Sequence, residues 1–243
     1  MRIEQVRFAP QTVFFTEKFC KRWDMVGITD NTKPALYVGV YNESDIKLIN
    51  SHVGFKVLMV THILPSCFDK LNPDNLIIME GNGMPCDVDK SRYKVKSVNV
   101  QMKDYSDFQP TVLGDSVYCY VGDTAQKEYY KHSMAERLKA RIKHPIIYGF
   151  IDKSKPETLT NQHLIDNLYS KCFVNLQLST HGGRVGIIEM GYMGRKTILY
   201  GTEESIISQI EAESKKIGTL QPSVITDNFF ENDWQDLNFW NAL

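Results

Sequence analysis

A short segment in the last third of the chain combines residue types that suit a phosphate and a neighbouring sugar. Gly182 and Gly183 follow the apolar run 172–178, which predicts a buried strand. Adjacent glycines let backbone N–H groups approach an anion, and the unsatisfied donors at the start of a helix favour phosphate there. Arg184 adds a planar guanidinium that suits phosphate or a sugar hydroxyl. Glu189 follows within the same predicted helix, where its carboxylate can accept hydrogen bonds from two ribose hydroxyls.

Three other positions have both a chemical and a structural interpretation. His181 stands directly before the two glycines and either contacts a bound sugar or caps the next helix. His62 follows the predicted strand 55–61, at the end where a general base is useful, yet a lone histidine there also serves packing. Tyr148, in the predicted strand 144–151, either approaches a nucleotide base or packs against its neighbours. A Gly-Gly pair before a helix is also an ordinary tight turn, so the whole site has a structural alternative.

The elements that must position these residues alternate between strands and helices. Short apolar runs predict seven strands, over 34–42, 55–61, 76–80, 116–121, 144–151, 172–178 and 197–200. Ser44 is expected to cap a helix that Gly54 ends, and helical spacing predicts other helices over 127–142, 160–170, 185–193 and 203–217. This alternation predicts an α/β fold with parallel, doubly wound sheets.

The segment 167–199 resembles the donor-binding half of GT-B glycosyltransferases. In that family a helix ending in Tyr leads to a strand ending in Ser, as Tyr169 and Ser179 do here, and a glycine-containing turn follows. A helix with the second Glu of a Glu-x7-Glu pattern comes next, and Glu189 matches that position. His181 stands where the family has the first Glu.

The resemblance extends back to the strand 116–121 and the residues after it. Gly122 is similar to the glycine at the family's strand end, and Lys127 and Lys131 are similar to the basic residue that holds the donor diphosphate. These lysines also belong to the stretch 125–144, which has six basic and two acidic residues and is typical of a solvated helix face. In total the resemblance spans residues 117–200.

The resemblance implies a glycosyltransferase that moves a sugar from a nucleoside diphosphate sugar, with a UDP-sugar as the expected donor, to an acceptor hydroxyl. Glu189 would hold the ribose, and the backbone of 182–184 would meet the diphosphate or the sugar. Lys131 or Lys127 would neutralise the leaving diphosphate, which requires no metal ion or cofactor. His181 would contact the donor sugar, and its replacement of Glu leaves the choice between retaining and inverting chemistry open.

The same resemblance implies two Rossmann-like lobes of the GT-B type. Residues 1–113 would form the acceptor-side lobe, in which His62 is the candidate base, and residues 114–226 would form the donor-binding lobe. The residues themselves indicate that the aromatic segment 227–243 is too apolar for a free tail, which predicts a helix that packs back toward the first lobe. Residues 1–33 hold one glycine, Gly27, instead of the family's strand and glycine-rich loop, so an abbreviated first lobe is expected.

Composition excludes several other classes of protein. The 243 residues include 28 basic and 29 acidic side chains, with a net charge of -1 and 42% hydrophobic residues, which is typical of a globular chain. The longest apolar runs fall far short of the roughly 18 to 20 residues that span a bilayer, so no membrane span is expected. Glu4 and Arg7 interrupt any signal sequence, which favours a cytoplasmic location. Five cysteines, none closer than 19 residues to another, predict reduced structural thiols and no metal clamp.

The sequence does not decide which acceptor is used or whether the protein is an enzyme. Residues 1–115 hold 14 basic and 14 acidic side chains, which disfavours a membrane-bound acceptor. A soluble saccharide is one candidate, and a hydroxymethylated base of phage-like DNA, bound through Lys139, Arg141 and Lys143, is another. The alternatives are a noncatalytic nucleotide- or sugar-binding protein of the same fold, and a structural subunit that binds a partner through its aromatic tail.

Overall fold

The computed structural model describes residues 1–10, 16–60, 64–81, 86–121, 131–149, 160–179 and 184–241. The chain divides into a first unit, residues 1–104 with 228–243, and a second unit, residues 105–227. Each unit is built on a sheet whose strands all run parallel. The predicted α/β class with parallel sheets is confirmed.

The first unit contains a six-stranded sheet in the order β2-β1-β3-β4-β5-β6. Its strands are β1 (Gln5–Phe8), β2 (Val26–Gly27), β3 (Ala35–Val38), β4 (Lys56–Val60), β5 (Leu76–Gly81) and β6 (Lys94–Val98). Two helices connect neighbouring strands, α1 (Thr16–Trp23) between β1 and β2, and α2 (Glu43–Ser51) between β3 and β4.

Alternate residues of a central strand enter two separate cores. Leu36 and Val38 of β3 lie in the core that includes Phe19 of α1, whereas Tyr37 lies in the core that includes Ile46 of α2. Side chains of a strand point alternately to the two faces of its sheet, so a strand covered on both faces is apolar throughout. This burial explains why β3, β4 and β5 were predicted correctly from continuous apolar runs.

The second unit contains a four-stranded sheet in the order β10-β9-β7-β8. Its strands are β7 (Ser116–Tyr120), β8 (Ile146–Gly149), β9 (Cys172–Gln177) and β10 (Lys196–Leu199). The helices are α3 (His132–Lys139), α4 (Asn161–Asn167), α5 (Arg184–Tyr192) and α6 (Glu203–Ser214). Ala135 and Leu138 of α3 share a core with Ile206 and Ile210 of α6.

The two sheets follow the same connection rule. In each unit the second strand in the chain lies on one side of the first strand, and the third and fourth lie on the other side. The connection reverses direction between the first and third strands, β1 and β3 in the first unit and β7 and β9 in the second. Because parallel crossovers are right-handed, this reversal places helices on both faces of the sheet. The architecture is therefore a doubly wound, Rossmann-like one.

The start of α2 differs from the prediction. Asn42, not Ser44, caps the helix, since its side-chain oxygen accepts hydrogen bonds from the backbone N–H groups of Ser44 and Asp45. Asn and Ser are similarly good caps, and the extended backbone of Asn42 decides which one acts.

Residues 1–33, for which an abbreviated lobe was expected, supply β1, α1 and β2. The first sheet has six strands where the second has four. The short β1 was not recognised because buried Gln5 and exposed Arg7 interrupt its apolar pattern. The strand β6 was missed as well, because it is mostly exposed and rich in lysine.

The C-terminal segment packs in the first unit but is not one helix. It contains a 3-10 turn over Asp227–Phe229 and the short helix α7 (Leu237–Asn241), with irregular backbone between them. Asn and Asp occur throughout this segment, and their side chains stabilise turns rather than helix interiors. Trp234 and Trp240 of this segment lie in the core under α1.

Residues 105–113, which the sequence interpretation placed in the first lobe, belong to the second unit. Leu113 donates its backbone N–H to Thr219, and Phe108 packs near Tyr169.

Within the described part of the chain, every helix is too short or too polar to cross a membrane.

Candidate functional site

The predicted phosphate-binding residues follow two adjacent strands in the sequence. β7 and β9 are hydrogen-bonded neighbours in the second sheet. The chain reverses its winding direction between these two strands, and open α/β sheets bind ligands outside the carboxyl ends at such a point. Gly122 follows β7 in the sequence, and His181, Gly182 and Gly183 follow β9; all four lie outside the described residues. His62 and Lys127 also lie outside them.

The helix α5 brings two predicted residues to this edge of the sheet. Arg184 is its first residue, and its side chain lies outside the described part of the structure. Glu189 is 1% exposed, and its Oε2 accepts a hydrogen bond of 2.6 Å from the Tyr169 hydroxyl. The predicted ribose ligand is thus a buried carboxylate that already has a protein partner.

A second tyrosine extends this contact into the sheet. The ring of Tyr118, in the middle of β7, meets the ring of Tyr169 edge to face at 5.1 Å. Burial, and then the charge of Glu189, raise the pKa of both tyrosines well above the usual value. Both hydroxyls therefore keep their protons at neutral pH.

Lys131, the residue directly before α3, has a backbone conformation that is unusual for a lysine. Its φ of 61° and ψ of 41° lie in the left-handed region, and its backbone carbonyl accepts the N–H of Ala135. The left-handed conformation costs a non-glycine residue roughly 1 to 2 kcal/mol. Strained residues of this kind cluster at binding sites. Lys131 is exposed.

Tyr148 contacts α3. Its hydroxyl donates to Glu136, and its ring lies beside His132 and 5.8 Å from the Lys139 amino nitrogen. Burial and the Glu136 carboxylate raise the pKa of Tyr148 above its usual value. The contact with Glu136 supports the packing interpretation of this residue.

Two arginines of the basic stretch 125–144 form ion pairs with glutamates of α6. Arg137 Nε lies 2.7 Å from a Glu203 oxygen, and Arg141 lies 3.0 Å from Glu203 and 3.3 Å from Glu204. The hydrogen bonds to these glutamates raise the pKa of Arg141. A DNA phosphate would have to compete with the glutamates for this guanidinium.

Sequence reasoning did not place Tyr118, Asn175 and Gln177 among the site residues. All three are buried polar side chains of β7 and β9, with Asn175 donating to Thr197 and Gln177 donating to the Ser179 carbonyl. Polar residues inside apolar strand runs were the available signal, because a buried polar group requires a partner.

Metal and thiol chemistry find no support in the described parts of the chain. There, no group of three or more His, Cys, Asp and Glu side chains could hold a metal ion. All five cysteines are unbonded to one another. Burial raises the pKa of the Cys119 and Cys172 thiols to about 12. Both thiols are therefore protonated at neutral pH and are poor nucleophiles.

The second unit is a Rossmann-like α/β unit. Its candidate residues come directly after the carboxyl ends of strands, where such sheets bind ligands. The sequence matches no protein-family model, and no curated protein shows significant similarity to it. Its function is therefore inferred from the chemistry of these residues.

Proposed function

We propose that this chain is a GT-B glycosyltransferase that transfers a sugar from a nucleoside diphosphate sugar to an acceptor hydroxyl. The acceptor oxygen bonds to the anomeric carbon of the donor sugar, the bond from that carbon to the diphosphate breaks, and the acceptor proton leaves to a base. UDP-sugar is the expected donor. His62 is the base proposed from the sequence if the reaction inverts the anomeric centre.

One observation supports this proposal above all others: the carboxyl ends of β7 and β9 are adjacent at the reversal of winding direction. Lys131 directly precedes α3, the first described helix after β7, and Arg184 begins α5, the first described helix after β9. A cation and a helix start at one sheet edge are suited to a diphosphate. The two doubly wound units, with a C-terminal segment packed in the first, are compatible with the GT-B arrangement.

The division of roles follows from the chemistry of each group. Glu189 binds the ribose hydroxyls, since a carboxylate accepts two hydrogen bonds and donates none. Lys131 stabilises the leaving diphosphate, whose negative charge increases as the sugar departs. The backbone of Gly182 and Gly183, with Arg184, binds the diphosphate or the sugar, and His181 contacts the donor sugar.

The proposal is tested with a donor panel. UDP, GDP and ADP, and a sugar nucleotide of each, are added separately to the full chain, and the midpoint of thermal unfolding is measured. For each sugar nucleotide, the release of the nucleoside diphosphate is measured as well. We expect one base to raise the midpoint and its sugar nucleotide to be hydrolysed slowly. No thermal shift with any nucleotide would refute the proposal and favour a structural subunit.

Replacing Glu189 with glutamine should weaken binding of the selected nucleotide at least tenfold. Glutamine has the same shape and its carbonyl can still accept from Tyr169, but the charge-assisted bonds to ribose, about 1.5 to 3 kcal/mol each, are lost. Calorimetric titration measures the dissociation constant. Glu204→Gln is the matched control, because Glu204 is 75% exposed on α6. Equal affinity in wild type and Glu189→Gln would contradict the assignment.

Replacing Lys131 with alanine should lower turnover more than donor affinity. The lysine charge is most useful in the transition state, when the diphosphate charge has increased. Turnover at saturating donor is compared with the dissociation constant, and the exposed Lys143 serves as the control position. If turnover at saturating donor is unchanged, Lys131 belongs to an ordinary solvated surface.

A noncatalytic nucleotide-binding protein of the same fold is the second candidate. The observation that favours it is the burial of Glu189 against Tyr169, which gives the carboxylate a structural partner. Binding of a sugar nucleotide with no hydrolysis and no transfer would select this function. Of the acceptors, we favour a soluble saccharide over DNA, since Arg137 and Arg141 are paired with glutamates.

A further inference from the structure

Three buried side chains of the second unit pack together beside the proposed donor site. The Tyr169 hydroxyl donates to Glu189, and the ring of Tyr118 meets the ring of Tyr169 edge to face. The exposed fractions are 1% for Glu189, 3% for Tyr169 and 4% for Tyr118.

The surroundings hold both tyrosines firmly in place. The ring of Tyr169 meets Tyr118 edge to face at 5.1 Å and lies 6.3 Å from the ring of Phe108. A β-carbon added at Gly149 would lie 1.9 Å from the Tyr118 hydroxyl oxygen. Only glycine at this position leaves room for the Tyr118 hydroxyl. The strand β8, which contains Gly149, therefore takes part in fixing the side chain of Tyr118.

The hydrogen bond from Tyr169 to Glu189 is a short, charge-assisted one. Its 2.6 Å length is typical of a hydroxyl that donates to a charged carboxylate. A buried carboxylate is held in one orientation by the donors that face it. Removing the Tyr169 hydroxyl would therefore change the orientation of Glu189.

We propose that Tyr169 is a positioning residue of the donor site, which holds the Glu189 carboxylate in the orientation that binds the ribose hydroxyls, and that Tyr118 holds Tyr169 in turn. This inference rests on the proposed function, in which Glu189 binds the ribose. Recognition of ribose over deoxyribose then depends on Tyr169, although that hydroxyl acts only through Glu189.

The test compares UDP with 2′-deoxy-UDP, titrated calorimetrically into the full chain and into Tyr169→Phe. If the donor panel selects guanine or adenine, the corresponding nucleotide pair is used. Wild type should bind UDP at least about tenfold more tightly than 2′-deoxy-UDP, since one charge-assisted bond is lost. In Tyr169→Phe this ratio should fall to about twofold, mainly through weaker UDP binding. A general structural defect would weaken both nucleotides equally and leave the ratio unchanged.

Two further variants sharpen the result. Tyr118→Leu should lower the ratio less than Tyr169→Phe does, because it removes the ring that packs against Tyr169 and leaves the bond from Tyr169 to Glu189 in place. Tyr93→Phe is the matched control in the first unit, since the buried Tyr93 hydroxyl donates to the backbone carbonyl of Leu71 at 3.0 Å. Its ratio should equal that of wild type.

The outcomes separate this inference from the proposed function. If wild type discriminates and folded Tyr169→Phe discriminates equally, the positioning role is wrong and the proposed function stands. If Tyr169→Phe does not fold, an unchanged ratio in folded Tyr118→Leu overturns the inference. If wild type binds none of the nucleotides, the proposed function fails, and the role of Tyr169 fails with it.

Discussion

Replacing Trp234 with alanine should lower the free energy of unfolding of the first unit by about 3 to 5 kcal/mol, the usual cost of removing a fully buried large aromatic side chain. Trp234 is 0% exposed, and its ring lies 5.3 Å from Trp23 and 6.1 Å from Phe19 of α1. Its backbone carbonyl also accepts the indole N–H of Trp240. The side chain thus joins the C-terminal segment to the core under α1.

Urea unfolding followed by tryptophan fluorescence measures this change, because all three tryptophans belong to the first unit. Trp234→Phe should cost less than Trp234→Ala, since the indole N–H of Trp234 has no hydrogen-bond partner among the described residues. Val53→Ala is the control in the same unit, as Val53 is 61% exposed. If Trp234→Ala unfolds at the same urea concentration as Val53→Ala, the Trp234 side chain adds nothing to the stability of the first unit.

Replacing Arg195 with methionine should destabilise the second unit by at least about 3 kcal/mol, because several buried carbonyls lose their donor at about 1 to 3 kcal/mol each. Arg195 is 0% exposed and donates to the backbone carbonyls of Cys172, Thr111 and Val112 at 3.0 to 3.1 Å, and also to Met193. Burial lowers the pKa of Arg195 to about 10, so the guanidinium stays charged at neutral pH.

Far-UV circular dichroism during urea unfolding checks this prediction, since the second unit contains no tryptophan. Arg195→Lys should be almost as unstable as Arg195→Met, because one ammonium group cannot reach four carbonyls as the guanidinium does. Arg137 offers the control, as it is exposed and pairs with Glu203 at the surface. Arg137→Ala should unfold close to wild type, and a similar result for Arg195→Met would disprove the role given to Arg195.

The sequence by itself determined the fold class and most strands. Strands such as β4 and β9 are covered on both faces, so their apolar runs are continuous and can be recognised locally. Thr160 and Thr202, which cap α4 and α6 at the predicted helix starts, are equally local signals. The position of Glu189 within a helix that follows a strand was likewise predicted from neighbouring residues alone.

Only the tertiary structure decided which polar residues are buried and what they bind. Glu189 binds Tyr169, 20 residues away, and Arg195 binds the carbonyl of Thr111, 84 residues away. The periodicity of a sequence reports the local backbone, whereas these partners meet only after parallel strands and helices have packed. The same reason explains why the strands β1 and β6 were missed, since their polar side chains Gln5 and Lys96 bind the backbone of Thr29 and of Phe239, far along the chain.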